Sequence, residues 1–173
     1  MFYKEADDTY TGVLDSAQSS IDAIHVNFSL ELICMLNVLI DDVCTFDNAL
    51  PWMVAMMNAV EQKQVKTRLL LENGGVKGLE NGVAIQVFQD ELVKRGLEDL
   101  VEVRFFDGRV HMKTVLIDQE LLIVGSQNLH YSSFGEKGLL EFVVASDDPA
   151  AIESYLDMFS YFWEQGIPVD EVN

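Results

Sequence analysis

Segments of strand character alternate with longer segments of helical character along most of this 173-residue chain. Apolar residues at every third or fourth position favour helices, and short runs rich in β-branched and aromatic residues favour strands. The predicted helices cover residues 7–20, 50–62, 83–97 and 148–164, and the predicted strands cover 21–28, 65–72, 101–106, 110–117, 121–124 and 140–145. This order predicts an α/β fold, in which a mixed β-sheet is flanked by helices on both faces. The length suits one domain over residues 1–173.

One segment resists a firm assignment. Residues 30–48 mix an apolar run with several acids, so a helix and an excursion loop both remain open. Within them, Cys34 and Cys44 fit one disulfide or two buried free thiols, and they form no metal pattern. The glycines of Asn73-Gly74-Gly75 and of positions 78 and 82 predict a turn and a loop. They do not predict a phosphate loop, because no Lys-Ser or Lys-Thr follows them.

The clearest chemical signal lies on two neighbouring predicted strands. His111 and Lys113 are two residues apart on one strand, so both are expected on the same face of the sheet. Such a pair is unfavourable in a core but suits the binding of an anion. Gly125 permits a close backbone approach at the end of the next strand, and Ser126 and Asn128 add a hydroxyl and an amide. Each of these features alone also fits an ordinary surface strand or turn, but together they predict a phosphate site.

The full spacing of these residues resembles the signature of the phospholipase D superfamily. That signature is His-x-Lys, four residues, Asp, six residues and then Gly-Ser-x-Asn. All six fixed positions are present: His111, Lys113, Asp118, Gly125, Ser126 and Asn128. Glu141 also matches a glutamate that members commonly place at the start of the following strand. The chain therefore resembles one catalytic half-domain with a phospholipase D-like fold.

The resemblance implies a role for each side chain. His111 would attack phosphorus to form a phosphohistidine intermediate, or would act as the partner acid. Lys113 and Asn128 would bind the non-bridging phosphate oxygens, and Ser126 would donate a hydrogen bond in the same pocket. Glu141 would orient a histidine by accepting its other N–H. No metal or other cofactor is implied by this chemistry.

Asp118 belongs to the same catalytic signature but lies at the far end of its strand. We therefore assign it a structural role in the turn. Of the other histidines, His25 and His130 have no lysine two residues later, so the chain carries a single motif. For both, a structural role is favoured over a role in the site. The family's site needs two motifs, which implies a second copy from an identical chain in a two-fold dimer or from another half of a longer parent protein.

The charge of the chain bears on its partners. Eleven Lys and Arg residues stand against 29 Asp and Glu residues, for a formal net charge of −18. A nucleic-acid binder usually shows a basic footprint, so a phospholipid-type phosphodiester is favoured over nucleic acid as the substrate. The longest apolar stretch, residues 30–40, is too short and too interrupted to span a bilayer. No signal peptide is visible in residues 1–20, which favours a cytoplasmic or membrane-peripheral location over secretion.

These observations predict a metal-independent phosphodiesterase or transphosphatidylase. Water as the second nucleophile would give hydrolysis, and an alcohol would give transfer. Two alternatives remain: a half-domain that keeps the fold as a binding or scaffold module without turnover, and a nuclease of the same superfamily.

Overall fold

The computed structural model describes residues 2–37, 44–134 and 138–172, with side chains from residue 7 onwards and up to residue 34 in the first range. Five helices and seven strands lie in these ranges, together with short 3-10 turns. The helices are α1 (Phe2–Ser16), α2 (Leu32–Asn37), α3 (Pro51–Lys63), α4 (Gly75–Arg95) and α5 (Pro149–Gln165). The strands are β1 (Ser20–His25), β2 (Lys66–Glu72), β3 (Val101–Phe106), β4 (Lys113–Ile117), β5 (Leu121–Gly125), β6 (Val143–Ser146) and β7 (Ile167–Pro168).

The described strands form one mixed sheet in the order β6-β5-β4-β1-β2-β3-β7. The three neighbouring strands β1, β2 and β3 are parallel, and helical segments connect them. Strand β4 runs antiparallel to β1, and β5 and β6 continue antiparallel from it. The predicted mixed sheet is therefore confirmed.

Helices cover both faces of this sheet. Alternate residues of β1 point to opposite faces, so Ile21 and Ala23 pack under α1, α3 and α4, whereas Ile24 packs under α5. The first layer contains Trp52 and Phe88 among its fully buried side chains. The second layer is smaller, and its buried side chains from α5 are Ile152, Tyr155, Phe159 and Trp163. The larger core fixes β1, β2 and β4 relative to one another.

The glycine-rich segment after β2 is helical, so the prediction of a loop there was wrong. Helix α4 begins at Gly75, with Gly74 as its N-cap, and includes Gly78 and Gly82. A Cβ atom on Gly78 would lie 2.0 Å from the carbonyl oxygen of Asn73. The glycine composition reflects this close packing of the first helical turn on the preceding backbone, which propensity alone does not reveal.

Other boundaries moved by a few residues. Strand β1 ends at His25 instead of residue 28, and β4 begins at Lys113, so that His111 lies just before the strand. Strand β6 begins at Val143, three residues later than predicted. Part of the undecided segment 30–48 is helix α2, and residues 38–43 lie outside the described residues. Cys34 and Cys44 form a disulfide, with Cα atoms 5.7 Å apart.

Within the described ranges, no helix combines the length and the apolar character that crossing a bilayer would require.

Candidate active site

Four strand ends meet at one end of the sheet. Because β4 is antiparallel to β1, the start of β4 lies beside the end of β1, and His25 pairs with Lys113. The alternation continues across the sheet, so that the end of β5 and the start of β6 reach the same place, where Gly125 pairs with Val143. We call the region formed by these four strand ends the site end. It brings the two halves of the motif together.

Gly125 lies where the backbones of β5 and β6 approach each other closely. A Cβ atom there would lie 2.4 Å from the carbonyl oxygen of Phe142 and 2.9 Å from the Cα atom of Val143. The close backbone approach predicted for this glycine is confirmed. This close approach brings Ser126 into contact with the segment before β6.

A carboxylate is held between two hydroxyl groups at this junction. Ser126 Oγ donates to Glu141 Oε2 over 2.5 Å, and Ser133 Oγ donates to Glu141 Oε1 over 2.8 Å. The backbone N–H of Phe142 donates to Ser126 Oγ over 3.0 Å, and the N–H of Ser126 donates to the Phe142 carbonyl over 2.9 Å. Both oxygens of Glu141 are thereby fixed in orientation. Sequence reasoning missed Ser133, which lies outside the motif and carries no spacing signal.

Lys113 carries an ammonium group that is mostly withdrawn from water. The residue is 8% exposed, and its Nζ donates to the carbonyl of His111 over 3.2 Å. Burial lowers the pKa of Lys113, and the nearby charge of Glu141 acts in the opposite direction. His111 itself is exposed at the start of this segment. A buried cation beside an exposed imidazole suits a small anion better than it suits a solvated surface.

His25 lies across the strand pair from Lys113 and is fully buried. Burial, together with the charge of Lys113, lowers the pKa of His25 to about 3, so its imidazole stays neutral. Its Nε2 lies 3.5 Å from the hydroxyl of Tyr10 on α1. His25 therefore supports the floor beneath Lys113 and is not exposed to a substrate.

Asn128 has spare hydrogen-bonding capacity. Its Oδ1 atom is buried and finds no hydrogen-bond partner in the part of the chain that the structure describes. Buried polar atoms are usually paired, so this unpaired acceptor marks a place where a donor from a ligand or a partner would complete the hydrogen bonding.

Asp118 lies at the opposite end of β4. It adopts a left-handed conformation with φ 54°, and its carboxylate accepts hydrogen bonds from the backbone N–H groups of Gln18, Ser19 and Ser20. Burial alone would raise its pKa, but the bonds from Ser20, Ser19 and Gln18 outweigh it, so the pKa of Asp118 is lowered. The carboxylate holds the loop between α1 and β1, apart from the other motif residues.

A second layer of polar side chains supports the site end. Asn81 of α4 is fully buried and bonds the carbonyls of Val26 and Glu72 and the N–H of Phe28. Nothing in the sequence singled out this asparagine, because its role depends on three separate backbone segments.

His130 also belongs to this supporting layer. Its Nδ1 accepts from the N–H of Ser132 at the start of a 3-10 turn, and its Nε2 lies 3.6 Å from a carboxylate oxygen of Glu80. Burial lowers the pKa of His130, Glu80 raises it and Lys77 lowers it further. These contacts link the loop after the motif to the first turns of α4.

The site end thus gathers Lys113, Ser126, Asn128 and Glu141, with His111 two residues before β4. It can bind a phosphate group through ammonium and amide donors and present an imidazole to it. Among the described residues, no group of three or more His, Cys, Asp and Glu side chains is placed to hold a metal ion.

Comparison with known proteins identifies the family of the chain. Residues 10–163 match the family model described as cardiolipin synthase, PLD-like domain. No curated protein sequence matches the chain at a significant level.

Solved structures share the fold at low sequence identity. Nuc from Salmonella typhimurium, a phospholipase D family member, is 18% identical with a TM-score of 0.64, over 94% of this chain and 90% of that one. NucT from Helicobacter pylori is 15% identical with a TM-score of 0.65, over 96% and 92% of the two chains. Phosphatidylserine synthase from Haemophilus influenzae is 9% identical with a TM-score of 0.67, over 98% of this chain and 38% of that one.

Proposed function

The chain belongs to the phospholipase D-like family, and on that premise we propose that it is a metal-independent phosphodiesterase or transphosphatidylase that works through a phosphohistidine. The observation that carries this proposal is the convergence of Lys113, Ser126, Asn128 and Glu141 beside the exposed imidazole of His111. These groups supply the donors and the nucleophile that phosphoryl transfer needs without a metal.

The reaction proceeds in two displacements. A nitrogen of His111 attacks phosphorus, so that an N–P bond forms while the P–O bond to the leaving alcohol breaks. The leaving oxygen takes a proton from a second histidine. Water or another alcohol then attacks the same phosphorus, the N–P bond breaks, and the proton of the incoming nucleophile returns to the second histidine. Splitting one displacement into two lowers each barrier.

The remaining side chains stabilise the charge that develops on phosphate. Lys113 and the amide of Asn128 bind the non-bridging oxygens, where low water access strengthens each interaction. Glu141, fixed by Ser126 and Ser133, accepts an N–H from a histidine and sets its tautomer.

The second histidine comes from a second motif, because this chain has one. Either an identical chain or another half of a longer parent protein supplies it. A histidine of the same chain is a poorer choice. His25 is fully buried, and His130 is buried with its Nδ1 occupied by the N–H of Ser132.

A phospholipid-type phosphodiester is the proposed substrate. The matching family description names cardiolipin synthase, and one structural neighbour is a phosphatidylserine synthase, so both names refer to phospholipid products. The net charge of −18 also opposes the approach of a polyanion.

The test compares two histidine variants on two substrates. Vesicles containing phosphatidylglycerol and a single-stranded oligonucleotide are each incubated with wild type, His111→Asn and His130→Asn. Asparagine is a good N-cap, so His130→Asn keeps its turn and serves as the matched control. We expect lipid turnover that His111→Asn lowers by at least about a thousandfold. We also expect an acid-labile phosphate adduct on wild type and on His130→Asn, and none on His111→Asn.

Each other outcome has a distinct meaning. Cleavage of the oligonucleotide alone would overturn the lipid assignment in favour of a nuclease. Lipid turnover that survives in His111→Asn would overturn the mechanism. A folded dimer without turnover on either substrate would favour a binding or scaffold role.

A further inference from the structure

A buried imidazole lies across the strand pair from the cation of the candidate site. The N–H of Val26 donates to the Met112 carbonyl over 3.1 Å, so these two residues form a hydrogen-bonded pair that continues the ladder of β1 and β4. Bonded pairs alternate with unbonded pairs along an antiparallel ladder, and the side chains of an unbonded pair lie closer together. His25 and Lys113 form the neighbouring, unbonded pair. Their side chains therefore project at close range from the same face of the sheet.

The ring of His25 leaves one of its nitrogen atoms without a partner. Nε2 lies 3.5 Å from the hydroxyl of Tyr10, whereas the buried Nδ1 has no hydrogen-bond partner in the described ranges of the chain. Leaving such an atom unpaired costs free energy, so buried ring nitrogens are usually bonded. The cross-strand neighbour with hydrogens to donate is Lys113.

The ammonium group of Lys113 has donors to spare. It carries three N–H groups, and one hydrogen bond from it is present among the described residues, to the carbonyl of His111. The Lys113 residue is only 8% exposed, so its remaining donors also need acceptors. One can serve an acceptor within the fold, and another can serve a ligand.

The positive charge of Lys113 favours one tautomer of His25. A neutral imidazole carries its hydrogen on either Nδ1 or Nε2. A hydrogen on Nδ1 would place a second buried donor beside the ammonium. A hydrogen on Nε2 can instead be accepted by the hydroxyl of Tyr10, which leaves the lone pair of Nδ1 free to accept. Burial raises the pKa of Tyr10, so its hydroxyl stays protonated and adds no charge.

We propose that His25 is a positioning residue for the phosphate-binding cation, in which Nδ1 accepts one N–H of Lys113 while the Tyr10 hydroxyl holds the Nε2–H. This inference rests on the proposed function, in which Lys113 binds the non-bridging phosphate oxygens. The three donors of the ammonium then serve the His111 carbonyl, the imidazole and the substrate. Because the imidazole and the phenol are uncharged, they orient the cation and leave its charge for the phosphate.

The ionisation of Lys113 reports directly on this hydrogen bond. The titratable side chains around the ammonium are His25 on β1, Tyr10 on α1, Glu141 before β6 and His111 before β4. An acceptor that bonds the charged form of a group favours that form. Removing the Nδ1 acceptor should therefore make the ammonium more acidic, whereas a role in packing alone would not depend on an acceptor at this place.

The experiment follows this ionisation without any substrate. The full chain is labelled with lysine carrying ¹³C at Cε, and the Lys113 signal is identified by its loss in Lys113→Met. Its chemical shift is titrated with pH in wild type, His25→Leu and His25→Asn. Leucine removes both nitrogens. Asparagine branches at Cγ as histidine does, so its oxygen can take the place of Nδ1. We expect the acid dissociation constant of Lys113 to rise at least about tenfold in His25→Leu, since hydrogen bonds to charged groups contribute that much. His25→Asn should restore the wild-type value to within about threefold.

A pair of tyrosine variants tests the tautomer with a smaller change. Tyr10→Phe removes the group that holds Nε2–H, so we expect a rise in the same direction but smaller than in His25→Leu. Tyr155→Phe is the matched control, because Tyr155 is also buried and its hydroxyl bonds Thr114 on the opposite face of β4. It should leave the ionisation of Lys113 unchanged. If the His25 variants do not fold, this pair decides the proposal.

Three results would overturn the positioning role: an unchanged dissociation constant in His25→Leu, equal changes in His25→Leu and His25→Asn, or equal changes in the two tyrosine variants. The proposed function fails separately, through the turnover assays, because this titration requires no substrate. Turnover that depends on His111, with a Lys113 ionisation that ignores His25, would retain the enzyme and overturn this inference. The expected shifts in a chain without turnover would support the hydrogen bond and count against the enzyme.

Discussion

The two ends of strand β4 carry charges of opposite sign, and these charges differ in how far hydrogen bonds satisfy them. At the turn end, the carboxylate of Asp118 accepts three backbone N–H bonds and one from the Ser19 hydroxyl. At the site end, the ammonium of Lys113 is nearly buried and bonds one backbone carbonyl, and Asn128 Oδ1 nearby is unpaired among the described residues. Hydrogen bonds within the fold satisfy the charge of Asp118, whereas the charge of Lys113 has one such bond among the described residues.

This difference separates structure from function within one motif. A charge that the backbone satisfies stabilises the native state, whereas an under-satisfied buried charge reduces stability and persists where binding recovers the cost. On the proposed function, the motif therefore places a binding residue, Lys113, and a structural residue, Asp118, at the two ends of one short strand.

The strongest test of the comparison removes the charge at the site end. Lys113→Met keeps the length of the side chain but no ammonium, so we expect kcat to fall by about 10²–10³, the usual cost of losing one transition-state donor. The free energy of unfolding should stay equal or rise, because the buried charge is gone. Kinetics and urea unfolding check both parts.

Lys66→Met is the matched control, because Lys66 is exposed at the start of β2, at the opposite end of the sheet. It should change neither quantity. A Lys113→Met protein that unfolds more easily yet keeps its turnover would mean that Lys113 is structural and takes no part in the reaction.

The second test removes the charge at the turn end. Asparagine tolerates the left-handed conformation, so Asp118→Asn changes the acceptors without straining the backbone. We expect a loss of about 1–3 kcal/mol in the free energy of unfolding, with kcat per folded molecule unchanged. Glu120→Gln, in the same turn and exposed, is the control. A large fall in kcat for Asp118→Asn would place this residue in the chemistry.

The third test asks how much the hydroxyl groups that orient Glu141 contribute to the rate. Ser133→Ala removes one of two bonds to Glu141, so we expect kcat to fall a few-fold, in line with about 0.5–1.5 kcal/mol for one hydrogen bond. Ser154→Ala, at an exposed position of α5, is the control and should have no effect on kcat. Equal rates in both variants would mean that the orientation of Glu141 does not limit the reaction.

The smallest expected effect is a pH dependence of stability. The folded pKa of Asp118 is lowered, so its stabilising contribution is present above the unfolded pKa of about 3.9 and is lost as pH falls through the folded value. Urea unfolding below about pH 5 should therefore show a shallower loss of stability in Asp118→Asn than in wild type. Parallel curves would mean that the carboxylate gains nothing from its bonds.

The sequence was sufficient for the parts of the fold whose determinants are local. Alternation and turn chemistry located β3 and the β4–β5 pair, and Pro149 with its cap Asp148 located the start of α5. The spacing of the motif indicated which residues meet, because a strand, a tight turn and a returning strand leave few alternatives.

The parts that failed depend on contacts that are distant in sequence. Helix α4 starts early because Gly78 packs on the backbone of Asn73, which no propensity scale records. Ser133 reaches Glu141 only through the fold of the intervening loop.

Asn81 also affects how slowly the backbone beneath the site is expected to exchange its amide protons. The amide of Phe28 lies beyond the end of β1, yet it donates to the buried Asn81 Oδ1 over 2.7 Å. Its proton can exchange with deuterium only when α4 separates from the sheet, so it should exchange as slowly as a strand amide. A nominal loop residue thereby reports the slow opening of the layer on which the candidate site rests.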